Sequence, residues 1–247
     1  MLDQTRESDY TIWLIALLLY VFDAGRLLTP REMLLVEAGR GRLTAAALGE
    51  NPLTLFGRVL VFAPLLRPDR GVFPAAWGRA WLDPAGFEKV LRALEQARSS
   101  LLIPRILAGC GFVLLFGLGP ILTLFLGPNA AVAFTALLLY PSVAAAIAWV
   151  WWNRRRIALT VPHAAWLSVE ILVCPAFLPN LVRKLTARHP VAADGAQLLA
   201  ATAPEDGKAE TLARLAARAE EAIEADSGKS AERTALREYL DRIRDIH

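Results

Sequence analysis

Glu170 lies near the middle of WLSVEILVCPAFLPNLVRKL, residues 166–185. An ionised carboxylate in so apolar a stretch is costly and calls for a partner or a water-filled cavity. His163 and Cys174 flank it, and on a continuous helix the three side chains fall near one face. Imidazole, carboxylate and thiolate could there ligate a transition metal or relay a proton. Against that chemistry stand Pro175, which breaks the helix just beyond Cys174, and the remote positions of the other histidines, His189 and His247. No second carboxylate with metal-ligand spacing accompanies Glu170. The expected role of Glu170 is therefore electrostatic: it pairs with an arginine or accepts from backbone donors that the prolines free. Neither a cofactor nor a metal is expected, and no catalytic residue is assigned.

Asn180, Arg183 and Lys184 close the same stretch. With Glu170 they form a candidate polar or interfacial cluster, able to meet lipid phosphates or simply to reach from a membrane edge into water. The second behaviour is the expectation. A further basic run, Arg154, Arg155 and Arg156, directly follows Trp149, Trp151 and Trp152. An aromatic belt followed by arginines marks the cytoplasmic end of a span, so these three residues are read as determining topology.

The elements that must carry these residues are mostly apolar. Hydrophobic residues make up 55% of the 247, too many for an ordinary soluble domain of this size. From 99 to 152 the sole charged side chain is Arg105. Residues 101–126 read as one span and 130–152 as its return across Gly127-Pro128-Asn129, a transmembrane helical hairpin. A helix needs about 20 residues to cross a bilayer. Pro104, Gly117, Gly119 and Pro120 predict weak helical hydrogen bonding within the first span. Small residues, Gly109, Gly111, Gly117 and Gly119 opposite Ala131, Ala133, Ala144, Ala145 and Ala148, predict close helix packing in a bundle or an oligomer.

Two shorter segments are marginal. Residues 10–22 are short for a span and are followed by Asp23 and Arg26, spaced to pair on a helix. Residues 163–182 are long enough, but Glu170, Pro175 and Pro179 disfavour a straight lipid-facing helix. A full crossing would also carry Arg183, Lys184 and Arg188 outside, so a segment that dips in and returns is favoured.

Residues 28–100 predict a small α+β domain at the inner surface of the membrane. Residues 33–37 and 53–66 are strand-like, and the second run, LTLFGRVLVFAPLL, is apolar on both alternating faces except at Arg58. Phe73, Trp77 and Trp81, with Arg70 and Arg79 beside them, suit a membrane interface. Asp83 and Pro84 predict a helix start, with Phe87, Val90, Leu91 and Leu94 along one stripe. The tail repeats an amphipathic pattern, Leu212, Leu215, Ala219, Ala222 and Ile223, then Leu236, Tyr239, Leu240, Ile243 and Ile246, across a turn at 226–229. Packing of that helical pair within the chain is expected.

The fold expected is mainly α, a helical integral membrane protein in five parts. They are 1–27, a short membrane segment; 28–100, the α+β domain; 101–152, the hairpin; 153–188, the basic loop and proline-broken segment; and 189–247, a linker and helical tail. Cys110 and Cys174 lie in apolar runs and predict no disulfide framework. No P-loop, GxGxxG, HExxH or GxSxG motif is present. The excess of arginine over lysine and the abundance of alanine suggest a bacterial genome, hence a multi-pass inner-membrane protein with most polar mass cytoplasmic. Expected partners are the bilayer and a protein, or a second copy, and no nucleic acid. The expected role is a non-enzymatic scaffold or assembly component. The alternative is a transporter or channel subunit with a polar intramembrane site at Glu170, and a membrane-embedded lipid enzyme ranks third.

Overall fold

The computed structural model describes residues 10–39, 41–46, 53–55, 58–189, 191–225 and 230–245. The turn expected at 226–229 lies outside them, as do the acidic residues before Tyr10. The described residues are mainly helical, with two small sheets among them. In chain order come α1 (Thr11–Ala24), β1 (Gly25–Leu28), β2 (Glu32–Gly39), β3 (Arg42–Ala46), β4 (Leu53–Leu55), β5 (Arg58–Phe62), β6 (Val72–Ala76) and α2 (Pro84–Ser100). There follow α3 (Leu102–Phe112), a π-helical segment (Val113–Leu118), α4 (Gly119–Leu126), α5 (Pro128–Asn153) and α6 (Val161–Val173). A 3₁₀ segment (Pro175–Asn180), α7 (Leu181–Thr186), α8 (Gly195–Thr202), α9 (Glu205–Ala225) and α10 (Ser230–Arg244) complete the order. These elements form two units. The first comprises Met1–Gly25, Pro64–Arg70 and Ala97–Thr186, and the second Arg26–Ala63, Gly71–Gln96 and Ala187–His247.

In the first unit, α3 to α4 is a continuous helical rod, Leu102–Leu126, and α5 is its antiparallel neighbour; both are long and apolar enough to cross a membrane. Only 22% and 28% of their most apolar windows are buried, whereas the core helix of a soluble domain is largely covered. Leu124, Phe125 and Leu137 are among the side chains left exposed. The expected weakness near Pro120 takes a definite form. Pro120 has no N–H to return to the preceding turn, and the helix widens to π geometry over the six residues just before Gly119.

Helix α1 lies along this rod in the opposite direction. Trp13 packs at Gly119 and its Nε1 donates to Thr123 Oγ1 at 2.8 Å. Seven residues on, Tyr20 meets Phe112 and Phe116, seven and three residues before Gly119, at ring-centroid distances of 5.6 and 5.1 Å. The close approach depends on Gly119, because a Cβ there would stand 2.4 Å from the Trp13 ring. Gly111 similarly accommodates Leu178, while a Cβ at Gly109 would meet nothing within 4 Å. Two of the four glycines thus serve packing inside the chain. Gly119→Ala is expected to destabilise the unit by about 1–3 kcal/mol through overpacking. Gly109→Ala should gain about 0.5–1 kcal/mol from the lower backbone entropy of alanine. Thermal denaturation in detergent micelles separates the two, and equal melting temperatures would refute the assignment of Gly119 to the α1 contact.

The second unit is built in layers. β2 is the middle strand of the antiparallel sheet β3-β2-β6, and its two faces serve different clusters. Met33 and Leu35 pack with α2, α8, α9 and α10, whereas Leu34 and Val36 pack with Leu28 and Val61 of the other sheet, β1-β5-β4. Pro74 sits in β6, an edge strand, where its missing donor costs least. The expected 53–66 strand is instead a pair, β4 and β5, with Leu53 opposite Leu60. Their pairing satisfies backbone groups that one long strand would leave open.

The expected interfacial role of the aromatic residues is corrected here. Phe73 and Trp77 are 0% and 3% exposed in the core of this unit, and Trp77 stacks on Tyr239. The helix predicted after Asp83 is α2. Asp83 Oδ1 accepts from Gly86 N at 3.2 Å, and Leu94 faces the core. Both apolar stripes of the tail, from Leu212 to Ala219 and from Leu236 to Ile243, enter that same core. The tail is therefore part of the second unit and not an appended module.

Candidate functional site: a buried polar cluster at a helix break

Helix α6 ends at Val173 because Pro175 cannot supply the next hydrogen bond. The chain then makes a short 3₁₀ turn in which Ala176, Leu178, Pro179 and Asn180 are buried, and continues as α7. Glu170 and Lys184 are fourteen positions apart, a separation of about 21 Å along one straight helix. Yet Lys184 Nζ lies 2.5 Å from Glu170 Oε1. The segment bends at the break, so that side chains of α6 and α7 meet.

Asp23, at the end of α1, is the third member. Its Oδ1 stands 2.8 Å from Lys184 Nζ, and its Oδ2 accepts from Asn180 Nδ2 at 2.9 Å. Asn180 Nδ2 also reaches Tyr20 O at 3.0 Å, and Asn180 Oδ1 accepts from Arg183. Arg183 Nη2 donates to Pro64 O at 2.5 Å, and its guanidinium lies 5.4 Å from the Tyr20 ring centre. The Tyr20 hydroxyl donates to Leu65 O, and Lys184 Nζ sits 4.5 Å from the centre of the Phe177 ring. Two carboxylates face two cations, so the cluster is formally neutral, and it joins α1, α6, the 64–65 segment and the helix break.

The four expected cluster residues, Glu170, Asn180, Arg183 and Lys184, therefore do come together, but not as solvated side chains. Asn180, Arg183 and Lys184 are 0%, 3% and 8% exposed. Snorkelling is replaced by burial because Asp23, Asn180 and Glu170 supply the polar partners that water would otherwise provide. The partner of Glu170 is a lysine and not the expected arginine. Asp23 and Tyr20 were not assigned to the cluster from sequence. An acid in one marginal apolar segment, for which the sequence offered Arg26 as partner, and a lysine in another were the signal available for Asp23. Tyr20 carried none.

His163 stays apart, with Nδ1 2.7 Å from Thr160 Oγ1. Cys174 lies beside Glu170 along a groove of about 230 Å³, shared with Trp166, Val169, Val173 and Phe177. Among the described residues, no three His, Cys, Asp or Glu side chains gather as a metal-holding group. Arg154, Arg155 and Arg156 form the turn after α5. The Arg154 guanidinium lies 5.9 Å from the Trp151 ring centre, while Arg155 and Arg156 are exposed. No family model, no curated protein and no solved structure matches the chain.

Proposed function

We propose that the chain is an integral membrane protein of a bacterial inner membrane, acting as a non-enzymatic scaffold or assembly component. In this reading the rods Leu102–Leu126 and Pro128–Asn153 cross the bilayer and Arg154, Arg155 and Arg156 mark the cytoplasmic side. Helix α1 descends from the opposite side. The segment carrying α6 and α7 dips in and returns, which keeps the second unit and its tail in the cytoplasm. The low burial of the two rods supports membrane residence, since such apolar surface is unsuited to water.

The observation that carries the scaffold role is Lys184 between two carboxylates. The charges of the cluster are matched inside the chain, which suits a latch that fixes helices. A conducted ion or transferred proton would instead need an open partner. The transporter reading rests on the groove beside Glu170, and the two readings part on one substitution. Glu170→Gln keeps an acceptor for Lys184 and removes the charge. A latch should then lose little stability and retain cellular function at normal protein levels, whereas Glu170→Ala should lower stability without specifically abolishing function. Complete loss of function in Glu170→Gln, with the protein folded and abundant, would overturn the scaffold reading in favour of transport. Partners would meet exposed faces of α9 and α10, because removing these helices also removes core residues of the second unit.

A further inference from the structure

The sheet β1-β5-β4 has one covered face and one open face. Val59 and Val61 of β5 and Leu28 of β1 point into the cluster shared with the other sheet. Side chains alternate along a strand, so Arg58, Leu60 and Phe62 point the other way. Cross-strand partners share a face, and the pairings Leu53 with Leu60 and Leu55 with Arg58 put both β4 leucines on that open face. Leu27 of β1, opposite in sense to Leu28, joins them. Leu53 is 64% exposed, and Leu55, Phe62 and Leu27 each exceed 40%. A face holding five large apolar side chains and an exposed arginine is poorly suited to water.

We propose that this open face docks on the headgroup layer of the bilayer, with Leu53, Leu55, Leu60, Phe62 and Leu27 entering the apolar boundary and Arg58 meeting anionic phosphate. The proposal rests on the membrane reading above. Two covalent links argue for this occupant. β1 begins at the residue after α1 ends, so Leu27 lies within about 11 Å of Ala24 whatever the chain's path. β5 ends two residues before Pro64, whose carbonyl is held by Arg183. Both exits of the sheet are thus tied to segments that sit in or against the bilayer in that reading. Apolar side chains with a neighbouring cation are the composition that interfacial docking uses.

The test uses the full chain with Cys110→Ala and Cys174→Ala, reconstituted in lipid nanodiscs that carry a shallow spin-labelled quencher lipid. A bimane fluorophore is placed on single cysteines at Leu55 or Phe62, at Glu221 on the exposed side of α9 as the aqueous control, and at Leu137 on α5 as the lipid control. Quenching at 55 and 62 is expected to exceed that at 221 several-fold. In nanodiscs of phosphatidylcholine mixed with phosphatidylglycerol, Arg58→Glu should reduce it relative to phosphatidylcholine alone. If 55 and 62 are quenched no more than 221 while 137 is strongly quenched, the docking proposal is overturned, and a second copy or a soluble partner covers the face. If 137 itself is unquenched, the membrane reading falls and this proposal falls with it. Equal quenching of Arg58→Glu in the two lipid mixtures would remove the anionic headgroup from the proposal.

Discussion

Lys184→Met should be the most damaging single substitution in the first unit, lowering its stability by about 3–5 kcal/mol, the usual cost of removing one partner from a buried ion pair. Methionine preserves most of the apolar stem and loses the ammonium that lies over Phe177, so the loss is chiefly electrostatic. Without the ammonium, Asp23 keeps the Asn180 amide as donor while Glu170 loses its ion-pair partner. Two carboxylates brought together in a poorly solvated place cannot both remain charged at little cost. The discriminating experiment is the combination Asp23→Asn, Glu170→Gln and Lys184→Met, which removes the three ion-paired charges at once and leaves the Arg183 cation on its oxygen acceptors, Asn180 Oδ1 and Pro64 O. It should recover most of the loss, because neutral groups of similar shape often replace buried ion pairs without penalty. Thermal melting or denaturant titration of the detergent-purified chain reads both effects. A Lys184→Met variant as stable as the parent would mean that the cluster is solvated and holds nothing together.

Asp194→Ala is expected to lower the stability of the second unit by about 2–4 kcal/mol, from the loss of a helix cap and of partners for buried donors. The residue is fully buried and caps α8. Its Oδ1 accepts from Ala196 N at 2.8 Å, Gln197 N at 3.3 Å and the Tyr239 hydroxyl at 3.0 Å, and its Oδ2 accepts from Arg79 N at 2.9 Å. One carboxylate therefore connects the loop before α2, the start of α8 and the face of α10. Tyr239→Phe removes a single donor and should cost about 1 kcal/mol. Burial raises the Asp194 carboxyl above its ordinary range despite these donors, while burial and then the neighbouring carboxylate keep the Tyr239 phenol protonated. A carboxyl raised in the folded state contributes stability that is complete below its unfolded value, near 3.9, and is lost as pH rises through its folded value. Acidification through that window should therefore favour the parent more than Asp194→Asn. A pH series of denaturation midpoints with parallel slopes for the two proteins would refute this coupling.

How much could be read in advance depended on the range of the interaction. The hairpin, the start of α2 at Asp83-Pro84 and the two tail helices are written in local periodicity and capping residues, and each appears where those signals place it. The break between Glu170 and Lys184 was foreshadowed by Pro175 and Pro179, whose lost donors forbid a straight helix. The closing of the cluster was not legible, because Asp23 and Lys184 are far apart in the chain and nothing in either segment names the other. Phe73 and Trp77 exposed a different limit. Aromatic residues beside arginines have the composition of a membrane belt, yet these two fill a core that becomes visible only when Val191 to Leu199 and the tail helices are packed against β2. β6 was hidden by Pro74, which argues against a central strand and is acceptable only at an edge.

The assembly of the second unit from three separate stretches of chain sets an order of events during synthesis. Its sheets and most of α2 are made once residue 96 has been added, but their core is closed by residues from Ala187 onward, after the hairpin has been translated. At a ribosomal pace of about 5–20 residues per second, the intervening stretch takes roughly 5–20 s to appear. During that interval Met33, Leu35 and Phe73 lack the helices that later cover them. The nascent chain must therefore hold an open apolar sheet while residues 97–186 are made. Any delay in translation between residues 97 and 186 lengthens the time in which that sheet can pair with the wrong chain.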